Sequence, residues 1–140
     1  MPTPLSHEEA NAFLDSKPGW IALTTINASG YPHTVPIGYF RLGDDVFIGC
    51  RSGTRKLRNI DGNPKVSLMI ESGQTMQDIK GLLIQGEASY TTDPDELLRL
   101  SREAMRARGV AEAQLPTAAP PGAAYIRVQP MKYISWDYSR

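Results

Sequence analysis

The chain has 140 residues, and its 15 lysines and arginines balance 15 aspartates and glutamates. That length favours one compact domain over residues 1–140, and a zero net charge leaves no global field to draw a nucleic acid or an anionic membrane. The single cysteine, Cys50, excludes a disulfide framework and a cysteine-based zinc site; no apolar run has the length of a membrane span and the N-terminus has no signal-peptide pattern, so a cytoplasmic protein is expected.

Ser6-His-Glu-Glu9 has the form of a capping box opening a helix whose apolar stripe is Ala10, Phe13 and Leu14, stopped by Pro18-Gly19. Trp20 to Ile26 is rich in strand formers, and Asn27 to Gly30 is a turn. Tyr31 to Phe40 resumes in extended form, with Pro32 and Pro36 marking an edge or bulges. A turn at Leu42 to Asp45 leads to a strand from Val46 to Cys50. Ser52-Gly-Thr54 can cap a short helix from Arg55 to about Ile60, stopped by Asp61-Gly-Asn-Pro64.

Strands follow at Lys65 to Glu71 and Lys80 to Tyr90, separated by a polar loop. Asp93-Pro94 starts a helix that ends at Gly109. The Ala- and Pro-rich segment from Val110 to Gly122 reads as a loop of limited order, and Ala123 to Tyr138 as a last strand broken or bulged at Pro130. This succession predicts a mainly β fold: a six-stranded antiparallel barrel with flanking α-helices.

Catalytic constellations are sparse. His7 sits at a helix start beside two glutamates and His33 next to Pro32, so triads and metal clusters have little support and no metal is expected. The exception is Cys50 to Leu68, which crowds Arg51, Arg55, Lys56 and Arg58 into one turn and a short helix. Cations in a first helical turn oppose the macrodipole, and a bound anion would offset that cost; a phosphate meets N–H donors and positive charge at such a place. A solvated basic helix face is the equal alternative. Gly49, Gly53, Gly81 and Gly86 lie in or beside strands, where glycine marks a bulge or a close approach, either of barrel backbone or of a flat ring.

Three stretches, "ALTTINASGYPHTVPIGY", "FIGCRSGTRKLRNIDGNPKVSLMIE" and "KGLLIQGEASYTTD", make the chain similar to the FMN-binding split β-barrel family, the pyridoxamine 5'-phosphate oxidase-like proteins, from about Leu14 to Tyr138. The resemblance implies a split barrel, FMN or alternatively coenzyme F420 as cofactor, and a homodimer with cofactors in clefts between subunits. It implies that the ring lies along His33, Thr34, Val35 and Pro36 and near Ile48, Gly49 and Cys50. The phosphate would meet Arg51, Ser52, Thr54, Arg55 and Lys56, and the second subunit would contribute Lys80, Gly81 and Trp136. Tyr31, Tyr39 and Trp136 are candidates for the substrate side. The implied activity is hydride transfer to or from a small molecule, with no obligatory side-chain acid or base; the alternative is a non-catalytic flavin or deazaflavin carrier or sensor. The chain stops at "SWDYSR" without the further basic and aromatic residues of pyridoxamine phosphate oxidases proper, so pyridoxal phosphate synthesis is not expected.

Overall fold

A computed structural model describes residues 2–140. The elements are α1 (His7–Ser16), β1 (Ile21–Ile26), β2 (Pro32–Ile37), β3 (Phe40–Leu42), β4 (Asp45–Arg51), α2 (Arg55–Gly62), β5 (Lys65–Ser72), β6 (Lys80–Thr91), α3 (Pro94–Ala107) and β7 (Ala123–Asp137). The seven strands form one sheet in the order β2-β1-β5-β6-β7-β4-β3, and every pairing is antiparallel.

The two edge strands of this sheet, β2 and β3, are consecutive in the chain, with only Gly38 and Tyr39 between them. Three Cα–Cα steps reach at most about 11 Å. The sheet must therefore curl until its edges meet there, which makes a barrel that is open along the rest of that seam. The strand count is seven, where the sequence pattern gave six, because the extended run from Tyr31 to Phe40 divides. Tyr39 turns into the core and donates its hydroxyl to the Leu14 carbonyl (2.6 Å). The residues after it pair with β4 on the opposite edge.

Alternation fills the barrel. Ile21 and Leu23 of β1, Val66, Leu68 and Ile70 of β5, Leu82 and Ile84 of β6 and Ala124, Ile126 and Val128 of β7 form one buried cluster with Phe13 and Leu14 of α1 and Leu57 and Ile60 of α2. Each fully buried Leu or Ile contributes about 1.5–3 kcal/mol relative to exposure. A smaller cluster, Phe40, Phe47 and Leu100, seats α3 outside β3 and β4. The bulge foreseen at Pro130 is present: Gly86 pairs with Pro130 and Gln85 with Lys132, leaving Met131 as the extra residue. A Cβ on Gly86 would lie 2.5 Å from the Gln129 carbonyl oxygen, so this glycine answers to barrel geometry.

The helix starts divide into two kinds. Ser6 and Glu9 exchange the reciprocal bonds of a capping box at α1, and Asp93 accepts from the Glu96 N–H at α3 (3.1 Å). Neither start is left without an acceptor. The segment 110–122 holds a short 3-10 turn, Glu112–Gln114, with Leu115 buried beside it; the Arg102 guanidinium donates to the Pro116 carbonyl (2.8 Å). Among the described residues, no helix is long and apolar enough to cross a membrane.

Candidate functional site

The start of α2 is different. β4 ends at Arg51, Ser52 to Thr54 make the turn with Gly53 at φ 73°, and α2 begins at Arg55. Thr54 occupies the cap position, yet its hydroxyl donates to the Arg51 carbonyl (3.2 Å) and no side chain caps the helix. The first turn carries no acidic residue. Ser52 uses both its N–H and its hydroxyl on the Gly122 carbonyl, at 2.9 and 3.2 Å. The orphan N–H groups that every helix start presents thus have no side-chain acceptor here, and the first turn carries the cations Arg55 and Lys56.

Those cations have no carboxylate partners among the described residues. Arg41 pairs with Asp15, Arg99 with Glu96, Arg106 with Glu103 and Glu112, Arg127 with Asp45 and Arg140 with Glu9. Arg51, Arg55, Lys56 and Arg58 form no such pair; Arg58 donates to the Gly53 carbonyl (2.6 Å). Asp61, the acid on α2, accepts from the Tyr90 hydroxyl (3.0 Å) and pairs with none of these cations.

A buried polar link fixes α2 against the barrel. Asn59, 8% exposed, sits on the apolar face of α2 with Leu57 and Ile60. Its amide donates to Thr25 Oγ1 (3.0 Å) and Asn27 Oδ1 (2.9 Å). Thr25 is the cross-strand partner of His33 in β2, so β2 and the basic segment meet across β1. The His33 Nδ1 atom is buried without a hydrogen-bond partner. Sequence reasoning did not single out Asn59 or Thr25; the available signal was an asparagine on the apolar face of a short helix.

The other sequence candidates fall into three places. In β2, Val35 packs on the core, while Thr34 and Pro36 lie on the outer face, where Thr34 bonds Thr24 through their hydroxyls (2.8 Å). In β4, Ile48 is wholly buried, and Gly49 lies under Tyr125, whose ring would stand 3.0 Å from an added Cβ. The Cys50 thiol is pushed up by burial, against the lowering effects of Lys56 and of a hydrogen bond with Thr54. Lys80, Gly81 and Trp136 are elsewhere. Lys80 lies over the Phe13 ring (4.9 Å), and the Trp136 indole covers Gly81 so closely that a Cβ would meet it at 2.3 Å. Tyr90, near the far end of β6, donates to Asp61 of α2. Gly81 is nine residues earlier, roughly 30 Å of strand away. One chain does not bring these residues to the basic turn.

One expectation is corrected. Tyr39 cannot line a substrate pocket, because it is 7% exposed and its hydroxyl is engaged with Leu14. At Gly49 and Gly81 the close approaches within one chain are made by Tyr125 and Trp136. Tyr31, by contrast, is 72% exposed.

Fold and site together define a split β-barrel with a cationic turn at one helix start. The family model described as pyridoxamine 5'-phosphate oxidase matches residues 6–137, and the chain belongs to that family. Among curated proteins, no sequence match was found. A conserved hypothetical protein from Mycobacterium tuberculosis has a similar structure (TM-score 0.82, 20% identity, 96% of this chain and 86% of that one). So does an FAD-binding protein from Mycobacterium smegmatis (TM-score 0.68, 20% identity, 95% and 97%). An F420 reductase is similar at TM-score 0.68 and 18% identity, over 94% of this chain and 98% of that one.

Proposed function

We propose that the protein is an oxidoreductase that holds FMN, or alternatively coenzyme F420, by its phosphate at the start of α2. The reading is carried by one observation: a helix start without a cap or an acid, surrounded by cations that no carboxylate neutralises. Arg51, Arg55 and Lys56 would bind the phosphate through charge-assisted bonds, and the free N–H groups of α2 would add to them. Thr54 would need only to rotate its hydroxyl away from Arg51. Ser52 would have to exchange its bonds to Gly122, so its contribution is the smallest. His33, with its unpartnered Nδ1, would face the ring side along with Val35. When bound, the ring supplies the electron transfer; the chain's own residues bind it, orient it and exclude water.

The reading includes a homodimer. A row of apolar side chains crosses the outer face of the sheet in register: Pro36, Ala22, Met69, Leu83 and Ile134. Met69 and Ile134 are 37% and 38% exposed. A second copy covering this face would bring its own Lys80, Gly81 and Trp136 toward the first copy's site, which one chain alone does not do. A carrier without turnover is the second reading; it would use the same phosphate site but offer no substrate-accessible face.

Absorption and fluorescence titration with FMN and, separately, with F420 tests the cofactor. Saturable binding of either, lost in Arg55→Ala/Lys56→Ala, is expected; binding of neither sinks the reading. Reoxidation assays on the loaded protein then separate enzyme from carrier, and sedimentation gives the oligomeric state.

A further inference from the structure

Two buried hydrogen-bonding groups face each other across β1 and β2. Thr25 and His33 are directly opposed in the register of the two strands. Thr25 is wholly buried. His33 belongs to the half-buried set of β2 with Val35 and Ile37, which pack on the core, so both side chains stand on the inner face. Opposed residues hold their Cβ atoms about 4.5–5.5 Å apart. At that separation a threonine hydroxyl reaches an imidazole nitrogen by a small turn of either side chain.

Each group has what the other lacks. Thr25 Oγ1 accepts from the Asn59 amide (3.0 Å), which leaves its single hydroxyl proton for another acceptor. Among the described residues that proton has none. The His33 Nδ1 atom is buried and has no partner, whereas its Nε2 atom is open to solvent. A neutral imidazole has one donor and one acceptor nitrogen. A hydroxyl that donates to Nδ1 therefore keeps the ring proton on Nε2. Asn59 lies on α2 and also donates to Asn27 Oδ1 (2.9 Å), so the seating of α2 sets the direction of the Thr25 hydroxyl.

We infer that Thr25 is a positioning residue: oriented by Asn59, its hydroxyl holds the neutral His33 imidazole in the Nε2–H form, so that His33 meets the cofactor as a hydrogen-bond donor. His33 then selects an acceptor atom on the ligand, an oxygen or an unprotonated nitrogen. One buried chain of bonds, Asn59 to Thr25 to His33, ties the helix of the phosphate site to the strand of the ring side. The role toward the cofactor rests on the function proposed above; the bond between Thr25 and His33 does not.

The test starts with long-range ¹H–¹⁵N spectra of the ligand-free protein at about pH 8, above the ordinary histidine range. The chain has two histidines, and His7→Gln assigns them. A protonated Nε2 in His33 is expected, with the Nδ1 resonance displaced as for a nitrogen that accepts a hydrogen bond. Thr25→Val should remove that displacement and Thr25→Ser restore it. A protonated or undisplaced Nδ1 in the parent overturns the proposal without any variant, and so does an Nδ1 resonance equal in the parent and in Thr25→Val. Titration with FMN and with F420 is the second readout. Thr25→Val should weaken whichever cofactor binds by about fivefold, as for one hydrogen bond, and Thr25→Ser by less than about twofold. Thr25→Val/His33→Phe should cost no more than His33→Phe alone, because Thr25 acts through His33. Losses that add in the double variant overturn the positioning role. If neither cofactor binds while the nitrogen signature is present, the cofactor reading falls and the Thr25–His33 bond stands.

Discussion

The starts of α1 and α2 solve the same physical problem in opposite ways. At α1, Ser6 and Glu9 satisfy each other's backbone groups, Glu8 and Glu9 complement the macrodipole, and Arg140 from the far end of the chain reaches back to Glu9 and to the Pro4 carbonyl (2.9 Å). At α2, the cap hydroxyl turns away, the first turn is cationic and no acid approaches. The first start is complete within the chain. The second has neither a side-chain cap nor an acid, and in the proposed function a bound phosphate completes it. The starts of α1 and α3 carry caps and acids of their own, so the uncapped, cationic start of α2 gives up local stability, and in the proposed function a bound phosphate offsets that loss.

The largest effect that would break this contrast is at α2. Arg55→Ala/Lys56→Ala should weaken phosphate-bearing cofactor by roughly a hundredfold or more, on the scale of two charge-assisted bonds. The melting temperature without ligand should stay the same or rise. A fluorescence titration beside a thermal melt checks both; equal affinity with lowered stability would make the basic helix structural.

Acid separates the two starts next. Hydrogen bonds from Arg140 and from the Ser6 N–H hold the Glu9 carboxyl at about 2, below the ordinary glutamate range. A group depressed in the folded state stabilises above its unfolded pKa, about 4.3, and loses that contribution as pH falls toward 2. Melts from pH 7 to 2 should therefore decline over that window in the parent and less steeply in Glu9→Gln. Parallel curves would remove Glu9 from the account.

Ser6→Ala should cost about 1 kcal/mol in chemical denaturation, the usual value of an N-cap. Lys56→Glu should do the reverse, stabilising the ligand-free protein by about 0.3–1 kcal/mol through the macrodipole while abolishing cofactor binding. Thr54→Ala, at the matching cap position, should change stability by no more than about 0.5 kcal/mol, because its hydroxyl caps nothing. A loss at Thr54 equal to that at Ser6 would erase the difference between the two starts.

Local chemistry was legible without coordinates. The Ser6–Glu9 box and the Asp93–Pro94 start depend on neighbours a few residues away and the bulge at Pro130 on a proline's missing N–H, and each is where the sequence pattern put it. The basic turn was legible for the same reason: four cations close in sequence stay close in space. What escaped the sequence depends on partners far along the chain. Tyr39 looked like one more residue of an extended run, and Leu14 supplies the carbonyl that draws it inward. Gly49 and Gly81 marked a close approach of barrel backbone or of a flat ring, and the side chains that approach them within one chain are Tyr125 and Trp136, more than 50 residues on.

By itself, then, the sequence determined the helices, the strands other than the division of the Tyr31 to Phe40 run, the mainly β class and the cationic turn, since periodicity, caps and charge spacing act within a few residues. Only the tertiary structure decided that the sheet closes through Gly38 and Tyr39, that Asn59 aims α2 through Thr25 and Asn27, and that Arg55 and Arg58 face the β1–β2 turn across one cleft. Those features need contacts between segments that meet only after the barrel has curled, and no local rule encodes which segments those will be.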